Sequence, residues 1–532
     1  LEFFSHASSA ELASLKADYA NLSNDVVGRG VNCLYPPAPL IAVKDDGTET
    51  ATEFQNLINS LNDGDVLYIP KPTVSYKISS QILITKAITI ICSSLAYFDV
   101  SGLPATTTPF KYQGSETDIG TITSAIAVNT KTLQLQAGEV SASGIQAGDW
   151  VRLRTLETYN ESRIYYKKGE IQQVESVDSV ADTITLYAGT YDSYDGATNT
   201  VTVSKINWIE DVKVKGLHIK GDGTTEQWGL QFEFVKGLDV EGCKVDNTIG
   251  AGIILTHCID FNIHGKNRIA GCNKSGVGYG INLTGCCQHG TVYGNHFRNN
   301  RHSFTTSTNN DGVVRDITVE NNKCYYDTDA SLDTHGNGEV YFVNNEVYGS
   351  EKGGQARGHN NKFVGNRFIN INQSAINVTE EGHIGLTIED NEVFTCSVGY
   401  YDAFSIIPFN TTKRGNDVKF NRNKVYNCQN GSALTARNID RISAEGNMFY
   451  KVGYAGMRIE NCNKINIRGN TFDDALRANM KAIDIEVTDG SAAGTYDGAI
   501  IKDNIYTANF TGGVNVNINH YATKVVVDNI AV

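Results

Sequence analysis

Three short segments carry side chains suited to chemistry: SLDTHG at 331–336, GGQARG at 353–358 and AINVTEEG at 375–382. They supply Asp333 and His335, then Arg357, then Glu380 and Glu381. An imidazole, a guanidinium and several carboxylates are the set that acid–base catalysis draws on. A carboxylate beside an arginine is held ionised, and one crowded by another carboxylate is held protonated. Two such carboxylates can cleave a glycosidic bond, one as acid and the other as nucleophile or as base on water. Alternatively, His335 can take a proton α to a uronate carboxylate while Arg357 neutralises the charge that builds. The competing reading is a salt-bridged polar ladder on a solvated sheet, and the later rows with Arg437, Glu460 and Glu486 are read that way.

These segments meet only if the chain winds. Between positions 267 and 529 a pattern recurs: an alternating strand, two small or polar residues, an asparagine, then another short apolar strand. The asparagines are Asn267, Asn295, Asn322, Asn345, Asn366, Asn391, Asn423, Asn447, Asn470, Asn504 and Asn529. The apolar alternation between them has period two, not a helical period. A drifting repeat built from short β segments and turns is the mark of a solenoid, and without helices the solenoid is a parallel β-helix. Each asparagine is expected at a sharp turn in the left-handed region, its amide bonding to the equivalent amide one coil away, about 4.8 Å along the axis. The strands between asparagines then stack as well. Alternation points Met457 and Ile459 inward and Arg458 and Glu460 outward. The same rule turns Asp333, His335, Gln355 and Arg357 outward on neighbouring coils.

Length and composition fit this reading. A chain of 532 residues exceeds a single compact core, which a solenoid avoids because each coil meets only its neighbours. The net charge of −14 argues against nucleic acid and anionic membrane as partners. An anionic polymer would need a locally basic groove. Eleven cysteines with no CxxC spacing are expected as buried filler in a reducing compartment, not as a disulfide framework. No apolar run reaches the roughly 18 residues of a membrane span, so no membrane insertion is expected. No leader is visible either, although the chain begins at Leu1 without Met and a leader may be missing from it.

In chain order, Leu12, Leu15, Tyr19, Leu22 and Val26 predict a short helix over 8–27, a neck where identical chains meet. Thr52 is expected to cap a second helix bearing Phe54, Leu57, Ile58 and Leu61, a lid for the first coils. Alternating runs over 116–205 predict an inserted antiparallel module of hairpins whose Trp150, Arg152, Arg154, Tyr165 and Tyr166 could border a groove. The domains are therefore a helical neck (1–30), a capping helix with first coils (31–115), the inserted module (116–211) and the β-helix (212–532). Two long intervals between asparagines must bulge as loops, the first carrying Tyr400, Tyr401 and Asp402.

The order DDGT, FQNLINSL, DVLYIP, SYKIS resembles the entry segment of pectate-lyase-like β-helix proteins, bacteriophage tailspikes among them. The motifs Tyr279-Gly280-Ile281, Arg301-His302, Asp333-Thr334-His335-Gly336 and Arg357-Gly358 are similar to a set found on successive coils of such tailspikes. The resemblance implies a right-handed, all-β parallel β-helix and a homotrimer carried on the phage tail. It implies assembly in the bacterial cytoplasm and action on a capsular or O-antigen polysaccharide at the host surface. Endo-hydrolysis by carboxylates among Asp333, Glu380 and Glu381 is the leading expectation, with His335 and Arg357 orienting. Tyr279, Arg301, His302, Gln355, Tyr400, Tyr401 and Asp402 are expected sugar contacts. A lyase at the same groove and a non-catalytic adhesin are the alternatives. The acidic calcium cluster of pectate lyases has no counterpart in the sequence, so neither metal nor cofactor is expected.

Overall fold

The computed structural model describes residues 30–159, 164–307, 312–336, 338–379, 383–397, 399–408, 413–477, 480–489, 496–507, 509–516 and 521–532. The neck helix expected over 8–27 lies outside them, as do Glu380 and Glu381. Three parallel sheets, of 18, 15 and 14 strands, wind into a β-helix. The 14-stranded sheet carries the candidate site and is called the site sheet below.

Its register explains the periodicity seen in the sequence. One column runs Ile253, Ile281, Phe304, Leu332, Gly354, Ile376, Phe404, Leu434, Met457, Ile483, each paired with the next one coil on. The side chains of this column are buried in the core. Gly354 is small because the Phe363 ring occupies the space a Cβ would need, at 2.6 Å. The neighbouring column faces the other way. It runs Ile254, Asn282, Thr305, then Gln355, Asn377, Ser405, Thr435, Arg458 and Asp484, with Asp333 between Thr305 and Gln355.

All eleven asparagines stack. Each amide donates to the side-chain oxygen of the next, from Asn267 to Asn295 at 2.8 Å through Asn345 to Asn366 at 3.0 Å and on to Asn504 and Asn529 at 2.8 Å. Each also donates to a backbone carbonyl, as Asn366 does to Phe342 at 2.9 Å. The left-handed turn is one residue earlier than expected. It falls on Lys266, Gly294, Asn321, Asn344, Gly365, Asp390, Arg422, Gly446, Gly469, Asp503 and Asp528, all with positive φ. The column asparagine itself stays out of that region because its amide must point into the coil to satisfy both neighbours.

The capping helix, α1 (Ala51–Ser60), buries Ala51, Phe54, Leu57 and Ile58. Phe54 packs on Tyr76, Phe98 and Phe110. The helix is preceded by Thr50, not capped by Thr52, and a Glu49 carboxylate accepts the Ala51 N–H at 3.0 Å. A six-stranded antiparallel sheet, from Ser115–Ile122 to Val201–Asn207, forms the inserted module with its own apolar core. It docks on the solenoid through Ile171, Ile206, Phe234, Ile259 and Cys286, with Trp150 and Trp208 packed alongside. Ile171 exchanges two hydrogen bonds with the Gln288 amide, at 3.0 and 3.2 Å. All eleven cysteines are buried and free. No helix among the described residues is long and apolar enough to cross a membrane.

Candidate active site

Thr306 and Thr334 set the two key side chains. The Thr306 hydroxyl accepts the His335 N–H at 2.8 Å and donates to the His335 carbonyl at 3.1 Å. Thr334 does the same for Arg357, at 2.9 and 3.0 Å. Each hydroxyl thus replaces a ladder bond at the end of its strand. Gly336 and Gly358 follow with φ of 73° and 105°, so the chain turns away directly after presenting His335 and Arg357.

Asp333, His335 and Arg357 do meet. His335 Nε2 lies 2.7 Å from Asp333 Oδ2, and Arg357 Nη2 lies 3.5 Å from Asp333 Oδ1. Arg357 Nη1 is 2.7 Å from each His335 ring nitrogen. The Thr305 hydroxyl donates to Asp333 Oδ2 at 2.8 Å, and His302 Nε2 stands 3.7 Å from the same oxygen. Burial pushes the Asp333 carboxyl up, but the charges of His335, Arg357 and His302 outweigh it and hold it well below the usual carboxylate range. Asp333 therefore stays ionised.

One expectation is corrected here. Asp333 does lie on the outer face of the sheet, away from the apolar core, yet it has no solvent-exposed surface. Strand alternation reports the face and not what covers it. The cover comes from His335 and Arg357, with His302 behind. The Tyr166 hydroxyl of the inserted module, 169 residues away in sequence, lies 2.9 Å from His335 Nδ1. Tyr166 is itself buried, whereas the His335 side chain keeps 23% of its surface exposed.

Tyr279, Arg301 and His302 join this cluster. The Tyr279 ring stacks on His302 with centroids 5.8 Å apart, and the Arg301 guanidinium sits 5.7 Å from the Tyr279 centroid. His302 Nδ1 donates to the Ala330 carbonyl at 2.5 Å, and burial lowers its basicity. Asp329 bridges Lys352 at 2.9 Å and Arg301 at 3.4 Å. Gln355 lies beside Asp333 in register but is largely buried, its amide 3.4 Å from Thr379. Sequence reasoning passed over Asp329, Lys352 and Thr305, and treated Tyr166 only as possible groove surface. No local pattern marks Tyr166, because its partner comes from another domain.

Tyr400, Tyr401 and Asp402 are not part of this cluster. Asp402 precedes the strand Phe404–Ile406, three coils beyond Asp333 on the site sheet. There it accepts the Ser432 N–H at 2.8 Å, and burial raises its carboxyl despite the Arg458 charge nearby. Beyond it Glu460, also buried, is gripped by Arg437 and Arg458, with Glu486 at 3.6 Å from Arg458. An open cavity of about 520 Å³ lies over these arginines. Among the described residues no group of three or more His, Cys, Asp and Glu is disposed to hold a metal.

No protein-family model matches the chain. A capsule K1-specific depolymerase of Klebsiella phage K64-1 is 25% identical over 321 residues, 57% of this chain. The alignment spans 35% of that relative's length. Among solved structures, the gp54 tailspike of Acinetobacter baumannii bacteriophage AP22, in complex with a capsular saccharide, superposes with TM-score 0.62 at 16% identity. That match covers 94% of this chain and 80% of the other. The tailspike protein gp49 of Pseudomonas phage LKA1 gives TM-score 0.57 at 18% identity, covering 87% and 76%. This chain has the parallel β-helix fold seen in these phage tailspikes. In this tailspike fold the three stacked sheets offer long outer faces, and here the polar clusters lie on one of them.

Proposed function

We propose that the chain is the catalytic β-helix of a phage tailspike that depolymerises a bacterial surface polysaccharide, capsule or O-antigen, by β-elimination. The Klebsiella phage relative and the saccharide-bound Acinetobacter phage tailspike support the substrate class. The same likeness supports a homotrimer on the virion tail, acting at the host surface. Eleven buried free thiols suit assembly in a reducing cytoplasm.

The observation that carries the reaction type is the set Asp333, His335, Arg357 and Tyr166. An ionised carboxylate without exposed surface neither gives up a proton nor reaches an anomeric carbon, which argues against Asp333 as a glycosidase acid or nucleophile. It suits Asp333 as the group that fixes His335. With Nε2–H donated to Asp333, the lone pair of His335 is on Nδ1, where the Tyr166 hydroxyl donates and Arg357 Nη1 lies 2.7 Å away, contacts that a substrate C–H must displace. In the reaction Nδ1 takes the proton from the carbon α to a uronate carboxylate. The electron pair forms the carbon–carbon double bond as the glycosidic C–O bond breaks, and the departing oxygen takes its proton from the imidazolium. Arg357 neutralises the charge that builds on the carboxylate.

The test is digestion of capsular polysaccharides from several serotypes with product mass analysis. Elimination yields an ultraviolet-absorbing unsaturated uronate one water lighter than the hydrolytic product. Non-absorbing products with new reducing ends would sink β-elimination and keep the depolymerase. Binding without any cleavage would leave an adhesin. Hydrolysis retains one specific support, the carboxyl of Asp402, raised by burial, on the same sheet as the arginine-gripped Glu460.

A further inference from the structure

Next to the reacting cluster, toward the N-terminus, the site sheet forms a groove of about 410 Å³. No charged side chain lines it. Tyr279 is shared between this groove and the reacting cluster. Asn282 pairs in register with Thr305, whose hydroxyl donates to Asp333. Two coil steps, about 10 Å, therefore separate Asn282 from Asp333 along the axis. A polymer threaded along the outer column would place a neighbouring sugar here while one unit reacts.

The chemistry of the walls is specific. The indole N–H of Trp228 and the side-chain oxygen of Asn282 are both buried without a hydrogen-bond partner. One is a donor and the other an acceptor. An unmet buried polar group is costly, so a ligand that meets both is favoured over one that meets neither. Between and around them lie Ala251, Ile254 and Val277, an apolar lining. Trp228 is held flat by Gly250, where a Cβ would meet the indole ring at 2.4 Å.

An acetamido group matches this set: its carbonyl accepts from Trp228, its N–H donates to Asn282, and its methyl needs apolar cover. A bare hydroxyl leaves the apolar lining empty, and a carboxylate would be buried with no cation. We propose that this groove is a subsite for an uncharged N-acetylated amino sugar, adjacent to the reacting unit. The proposal rests on the depolymerase reading for its placement in the polymer, though the binding it asserts does not depend on catalysis.

The experiment is saturation-transfer NMR on the whole chain carrying His335→Gln. The probes are the methyl glycosides of N-acetylglucosamine, N-acetylgalactosamine and N-acetylmannosamine, with the matching hydroxyl sugars. For at least one epimer the acetamido methyl is expected to show the strongest transfer, with the hydroxyl counterpart roughly tenfold weaker or worse. Trp228→Phe keeps a ring but loses the donor, and Asn282→Leu loses the acceptor oxygen. Each should abolish the preference while leaving the melting temperature of the β-helix in place. If Trp228→Phe fails to fold, Asn282→Leu decides alone. Equal binding of hydroxyl sugars, no binding of any acetamido probe, or unchanged binding in a folded variant overturns the proposal. Polymer cleavage by the wild type without acetamido binding sinks the subsite alone, and acetamido binding without cleavage sinks the enzymatic reading alone.

Discussion

Two polar clusters share one face of the site sheet, three coils apart. Around Asp333 a buried carboxylate faces two histidines and an arginine, and its proton is driven off. Around Asp402 a largely buried carboxylate accepts the Ser432 N–H with the Arg458 charge nearby, and burial raises it. Burial acts in the same direction on both. The neighbours decide the outcome, since the charges around Asp333 outweigh desolvation, whereas the hydrogen bonds and the Arg458 charge at Asp402 do not. The first cluster holds an imidazole fixed by a carboxylate, and there the inserted module reaches down with Tyr166.

The largest effect should come from His335→Gln, which lowers kcat by about 10²–10⁴-fold if His335 moves the proton. Glu460→Gln in the second cluster should leave kcat within a few-fold. The reverse result, measured as product release from capsule, would transfer the chemistry to the Asp402 side and favour hydrolysis. Asp333→Asn comes next. Losing the carboxylate frees the wrong His335 tautomer, and kcat should fall about 100-fold or more with KM little changed.

The pH dependence of stability separates the two carboxylates. Asp333 has a lowered folded pKa, so its contribution is complete above the unfolded carboxylate value, about 4, and is lost as pH falls through the folded value. Asp402 has a raised folded pKa. Its fold keeps a proton that the unfolded chain releases, so stability falls as pH rises from about 4 toward the folded value. Thermal melts should show a shallower acid limb for Asp333→Asn and, just above the unfolded carboxylate value, a flatter limb for Asp402→Asn. Equal slopes in both would break the comparison.

Tyr166→Phe sharpens it further. The phenol orients the His335 ring, so kcat should fall roughly tenfold while KM and the melting temperature stay put. The smallest effect is on Asp327, wholly buried in the coil that carries Asp333, with Ser303 donating to it at 2.5 Å. Its carboxyl is pushed up to about 7, chiefly by burial. Asp327→Asn should leave activity intact and raise the melting temperature more at pH 8 than at pH 5, because only the wild type loses stability across that range.

Much of the architecture was legible. The spacing of eleven asparagines specified the coils, because a stacked amide column needs the same residue at every turn. Alternation specified which side chains leave the core, since a period of two follows from strand geometry alone. The turn itself was misplaced by one residue, as Gly, Asn, Asp, Lys and Arg all occupy the left-handed position and no single type marks it. The site was half legible. Asp333, His335 and Arg357 were found because neighbouring coils bring them together, while the loop with Tyr400 and Tyr401 lies apart from them, before a strand three coils on. A bulge in the sequence says that a loop exists and not which way it folds.

By itself the chain determined a winding rule and the residues offered to the outside, because backbone pairing and burial repeat along the chain. Tertiary structure alone decided that Asp333 is sealed and ionised, that Tyr166 reaches His335 from another domain, and that Trp228 and Asn282 are left with unmet hydrogen bonds. Burial and charge at a point depend on every segment that arrives there, and no periodicity along one strand records those arrivals.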